Sequence, residues 1–176
     1  MARLRINHRR LVRVSMATIE MLQNWREGVS LANDSGLTID ELASAVAAGR
    51  WKLASEHRRN ANALLALARP QFRNAVSRYY YSMYHAMRAA SYLHHGGDDF
   101  ESHSTLPQKV PSDFPNAAVV QNTLKNARLA RNAADYDPYP SGGKFWESQA
   151  RIIKSDADAL LVDARDYLRG KGCTGI

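Results

Sequence analysis

The chain has 176 residues, with 24 Lys and Arg against 17 Asp and Glu and a single cysteine. That length predicts one domain with its own core, and one cysteine excludes an internal disulfide and a Cys/His zinc finger. A formal net charge of +7 favours a polyanionic partner, RNA, DNA or a nucleotide, whereas no apolar run is long enough to span a bilayer, so no membrane partner and a cytoplasmic location are expected.

Residues 1–13 read as a basic arm containing Arg3, Arg5, Arg9, Arg10 and Arg13. A solvated arm with no specific partner fits that composition equally well. The basic residues have no apolar core behind them, so no secretory leader is expected. Residues 14–27, with Val14, Met16, Ile19, Met21, Leu22 and Trp25, suggest a short helix with loose apolar spacing. Asn33-Asp34-Ser35-Gly36 is turn chemistry and marks a boundary between an extension, 1–37, and a main domain, 38–170. Residues 171–176 form a tail, and Cys173 in it has no expected role.

Thr38-Ile39-Asp40-Glu41 is a capping box, in which Thr38 accepts from the first helical turn and Glu41 reaches back to the Thr38 N–H. The helix it opens pauses at Gly49, resumes through Trp51, Leu53, Ala54, Leu64, Leu65 and Leu67, and ends at Pro70. A second helix runs from about 71 to 94 and stops at Gly96-Gly97. The stretch 98–116, with Pro107, Pro111 and Pro115, is loop. Further helices are predicted over about 116–134 and 144–169, the last with Trp146, Ala150, Ile153, Ala157, Leu160, Leu161, Ala164 and Leu168 near heptad spacing, a core stripe or part of a dimer seam. No β-branched run alternates with period two. The expected fold is therefore an all-α antiparallel bundle of four to five helices.

At about 100° per residue, the 71–94 helix separates into two faces. Val76, Tyr80, Met83, Met87 and Ala90 form a core stripe. Asn74, Tyr81, His85, Arg88 and Tyr92 lie opposite, beside Arg78. That second stripe is either a solvated face or a surface for phosphates and bases: arginine pairs with phosphate, Tyr and Arg stack on bases, and His85 can move a proton near neutral pH. Arg131 and Asp135, four apart, make either an ion pair or part of a site. His94-His95 with Asp98-Asp99 is weak as a metal set, and no metal or other cofactor is expected.

Ala75-Val76-Ser77-Arg78-Tyr79-Tyr80-Tyr81-Ser82-Met83-Tyr84-His85-Ala86 resembles the second-helix signature of a HEPN subfamily, A-V-S-R-x-Y-Y-A-M-F/Y-H-A. His103-Ser104 sits where that subfamily often carries a loop histidine, and Arg131-Asn132-Ala133-Ala134-Asp135-Tyr136 resembles its R-x-x-A-D-Y ending. The resemblance covers about 42–169. It implies a HEPN-like helical bundle, often a homodimer, in a prokaryotic toxin–antitoxin or defence system. For the active members it implies a metal-independent endoribonuclease carrying an R-x(4-6)-H pattern.

On that resemblance Arg131, His85 and Asn132 are the catalytic candidates, and Arg78, Tyr81, Arg88, His103 and Tyr136 the phosphate- or RNA-binding ones. Asp135 is the structural or interface residue. The sequence departs from the pattern where the histidine would fall, since Tyr136, Asp137 and Pro138 occupy those positions, so His85 or His103 would have to supply the imidazole. The partners implied are RNA or a nucleotide, an antitoxin, or a nucleotidyltransferase for which the chain would be a non-catalytic interaction module.

Overall fold

A computed structural model describes residue 12, residues 16–97 and residues 100–176. The basic arm and Asp98-Asp99 lie outside the described residues, apart from Val12. The chain divides into two compact units, Met1–Leu42 and Ala43–Ile176. Their junction falls inside the first turns of a helix, five residues beyond the expected boundary.

In the first unit, α1 spans Ile19–Ser35. Thr18 caps it, its Oγ1 accepting from the Met21 N–H at 3.2 Å. It therefore starts later and ends later than the loose apolar spacing suggests, and Asn33, Asp34 and Ser35 belong to the helix. The turn itself is Gly36, at φ 70°, whose N–H bonds the Ala32 carbonyl; glycine alone takes that geometry without a Cβ penalty. No residue of α1 is buried.

The helix α2 spans Ile39–Leu65. Its capping box forms as expected: Glu41 Oε2 accepts from the Thr38 N–H at 2.8 Å, and Thr38 Oγ1 accepts from the Glu41 N–H at 3.2 Å. Thr38→Ala should cost about 1 kcal/mol of helix stability, read as a lower unfolding midpoint in urea. The expected pause at Gly49 does not occur, because one glycine costs a helix only about 1 kcal/mol and the flanking turns are bonded through it. The helix ends at Leu65 rather than at Pro70, and Leu67 is exposed beyond it.

Three more helices complete the second unit: α3, Phe72–His95; α4, Ala117–Tyr136; and α5, Gly143–Gly170. The stretch between α3 and α4 carries a short 3-10 helix, Leu106–Lys109. Among the described residues no strand forms, so the all-α bundle is correct.

From α2 onward, consecutive helices are antiparallel. Tyr79 near the start of α3 reaches Asn62 near the end of α2, and Ser77 reaches Asp135 at the end of α4. By contrast α3 and α5 run parallel, with Arg73 over Trp146 at one end and Tyr167 beside His94 at the other. The central element is α3: Val76, Tyr79, Tyr80, Met83, Met87 and Ala90 are each at most 2% exposed. All eight heptad-spaced residues of α5 are buried. On α2 the buried positions are Ala47, Ala54 and Ala61, seven apart. These small side chains let α3 approach the α2 backbone, and Ser82 Oγ donates to the Ala54 carbonyl at 2.8 Å.

The tail is a correction. Cys173 is buried with Ala47, Ala89 and Leu168, and the Thr174 N–H donates to Ser44 Oγ at 3.1 Å. A small apolar thiol next to two alanine positions fills the gap they leave. Among the described residues no helix is long and apolar enough to cross a membrane.

Candidate functional site

A cleft of about 380 Å³ opens between α2, the first half of α3 and the end of α4. From α3 come Asn74, Ser77, Arg78, Tyr81 and His85, which recur with helical spacing on one side of that element. From α4 comes Asp135, and from α2 comes His57. Asn74, Arg78, Tyr81 and His85 of the polar stripe are thus gathered into one recess, while Arg88 and Tyr92 lie outside it.

His57 was not anticipated. It lies three residues after Ala54 and four before Ala61, both buried, so it continues the inward stripe of α2. A polar residue on an apolar stripe was the available signal. Its ring stacks on His85 with centroids 5.4 Å apart and planes 2° from parallel, and on Tyr81 at 5.5 Å. The buried Nδ1 atoms of His57 and His85 have no hydrogen-bond partner among the described residues. Stacking, rather than a carboxylate, therefore orients both rings.

Burial and positive neighbours hold these imidazoles uncharged. Burial is the main cause for His85, helped by His57, Arg88, Arg50 and His103; together they push its pKa down to about 4. Burial and then Arg78 lower His57, against a smaller opposing pull from Glu56. Burial, then Arg131, Arg88 and Arg128, lower His103. His57 and His85, in the field of arginines, make the recess electropositive with neutral proton acceptors in it, and His103 lies outside it.

Tyr81 is the hub. Arg131 lies over its ring at 5.2 Å, and Arg131 Nη2 donates to its hydroxyl. His85 lies 6.4 Å from the same ring and His103 6.0 Å. So Arg131, His85 and His103 share one aromatic neighbour and are not directly bonded to one another. The guanidinium of Arg131 is held from several sides: Nη1 donates to Asn132 Oδ1 at 3.1 Å, Tyr136 covers it at 5.0 Å, and Nε lies 2.9 Å from Asp135 Oδ2 as an ion pair, without the alignment of a hydrogen bond. Asp135 also accepts from Ser77 Oγ at 3.2 Å.

The other candidates separate. Arg78 is exposed at the cleft. His103 is half-buried in the loop after α3, where its Nδ1 meets the Tyr80 hydroxyl at 2.7 Å and its ring packs on Tyr84. Asn132 and Tyr136 are exposed on α4. Arg88 corrects its expected place on the binding face. It is 9% exposed, it lies over Tyr84 and donates to that hydroxyl, and it pairs with Glu101 Oε2 at 3.6 Å. The Tyr84 hydroxyl in turn donates to the Glu101 carbonyl, drawing the loop over this part of α3.

His94 faces Asp113 at 3.0 Å, and among the described residues no group of three or more His, Cys, Asp or Glu could hold a metal ion. No family model, no curated protein and no solved structure matches this chain. The HEPN resemblance accordingly stands on the motif residues alone.

Proposed function

We propose that this chain is an RNA-directed protein of HEPN type, acting in a toxin–antitoxin or defence setting, and that the His57–His85 cleft is where it cleaves RNA without a metal. One observation supports this above the rest: two stacked, uncharged imidazoles share a recess with the exposed guanidinium of Arg78. Phosphate suits a site whose surrounding charge is arginine. A neutral imidazole suits the proton acceptor.

In the step proposed, one imidazole of the pair takes the proton of a ribose 2′-hydroxyl. The freed oxygen attacks the adjacent phosphorus while Arg78 offsets the charge gathering on the phosphoryl oxygens. The bond to the 5′ oxygen breaks, and that oxygen receives the proton back from the imidazolium. The products are a 2′,3′-cyclic phosphate and a 5′-hydroxyl. The two rings are too close to be protonated together, so they act as one proton-carrying pair. Arg131 positions Tyr81 and Asp135 rather than touching the phosphate.

The test is incubation of pure protein with single-stranded RNA in excess chelator. Cleavage leaving cyclic phosphate ends is expected, with Arg78→Ala weakening it about tenfold, the worth of one charged hydrogen bond. Absence of cleavage from pH 5 to 9 would remove the enzymatic reading.

A second reading, a non-catalytic partner of a nucleotidyltransferase, draws support from Arg131, whose guanidinium pairs with Asp135 and donates to Tyr81 within the fold. Stable co-purification with such an enzyme, and no cleavage by either alone, would favour it.

A further inference from the structure

A second recess, of about 290 Å³, lies between α2 and α5 and is lined by Trp51, Arg58, Arg59, Asn62, Leu161 and Arg165 among others. By the helical spacing it is centred roughly 140° around α2 from His57, so it does not belong to the first cleft. It carries three arginines and an aromatic ring, and its charge is not balanced locally. Arg58 Nε and Lys154 Nζ share one carboxylate, that of Asp158, at 2.6 and 2.5 Å. Arg59 is exposed and has no carboxylate partner among the described residues. Among the described residues Arg165 pairs only with its neighbour in sequence, Asp166, at 3.4 Å. Asp158 would keep Lys154 if Arg58 turned toward an anion, so the recess can take up negative charge without stranding a carboxylate.

Trp51 is half-buried, packed from below against the core. An indole fixed at the edge of an arginine-rich recess offers a stacking face for a planar base. Arginines bind phosphate in the plane of their forks, whereas an acidic peptide would make no use of the indole.

We propose that this recess is a second RNA subsite, taking a phosphate on Arg59 and Arg165 and a base on Trp51, with single-stranded RNA as its ligand. It shares the RNA-directed reading of the first cleft but stands on different residues, so either can fail alone.

The experiment uses the full chain and a fluorescein-labelled, 2′-O-methylated single-stranded oligonucleotide, which cannot be cleaved by attack of its own 2′-oxygen. Binding is followed by anisotropy across a salt series. The Arg59→Gln/Arg165→Gln variant keeps the side-chain stems and so the packing. It should bind about tenfold more weakly at moderate salt and lose roughly 0.7 from the slope of log K against log salt, one single-strand phosphate contact. The oligonucleotide should also quench tryptophan emission in the wild type, and Trp51→Phe should remove that quenching. Uridine monophosphate serves as the second probe: quenching by it shows that a free nucleotide unit suffices, and quenching by the oligonucleotide alone shows that the polymer is required. Unchanged affinity and slope in the double variant, or unchanged quenching in Trp51→Phe, would overturn the proposal. Cleavage by the same variants, measured separately, reports on the first cleft.

Discussion

Replacing His85 with glutamine is expected to lower RNA cleavage by about 10²- to 10⁴-fold, the usual worth of a general acid–base group, and to remove part of the acid sensitivity of the fold. Both effects come from the same burial. The His85 pKa falls from 6.5 to about 4 in the folded chain. Between those values the unfolded chain binds a proton that the folded chain refuses, so stability rises with pH across that window. The contribution is complete above pH 6.5 and disappears as pH falls toward 4. Solvent reaches the cleft, so the unscreened shift must be discounted, leaving about 2 kcal/mol. His57 and His103 shift the same way and should add to the loss.

Urea unfolding at pH 7 and pH 4.5 would show it: a lower midpoint for the wild type in acid, and a smaller drop for His85→Gln. An equal drop in both proteins would remove His85 as the cause. Cleavage should hold steady from pH 6 to 8 and fall in acid as the His57–His85 pair takes up its proton. Because the two rings titrate together, the midpoint belongs to the pair.

The core of this protein was legible because helices bury residues at fixed spacing. Val76, Tyr80, Met83, Met87 and Ala90 on α3, and the eight residues of α5, lie where periodicity puts them. Periodicity is blind to what a loop covers. Arg88 sits at the edge of a polar stripe in sequence, but the loop held by Tyr84 and Glu101 closes over it and turns it into an interior cation. His57 escaped because its segment, Glu56-His57-Arg58-Arg59, looks like a solvated charged run, and only the alanines on either side mark the face as inward. Cys173 escaped because the alanines that receive it are more than eighty residues away in sequence. The stacked imidazoles are thus a tertiary product: His85 was readable from α3, its partner was not.

Arg131→Ala is expected to destabilise the chain by about 2 kcal/mol, and to lower the rate of cleavage more than it weakens RNA binding. The side chain is 13% exposed and Asp135, its ion-pair partner, 28%. Breaking a partly buried pair leaves the second charge uncompensated, a cost larger than that of a surface bridge. The same change takes the donor from the Tyr81 hydroxyl and the cation from its ring. Tyr81 then loses the contact that holds it against His57 and His85, and the imidazole pair loses its position. Arg131→Lys should not restore either property, since an ammonium cannot meet Asp135, Asn132 and Tyr81 in one plane.

A double-mutant cycle with Asp135→Ala separates the two possible roles of Arg131. If it is a strut, the two changes share their cost, with a coupling of about 1 kcal/mol or more, and the pH midpoint for cleavage moves in Arg131→Ala because the rings are no longer held. If Arg131 instead touches phosphate, its removal weakens binding, reduces the salt slope by one contact, and leaves Asp135→Ala independent of it. The arginine that the HEPN resemblance marks as catalytic would then be so here as well; with strong coupling and an unchanged salt slope, catalysis rests on the histidines it holds in place.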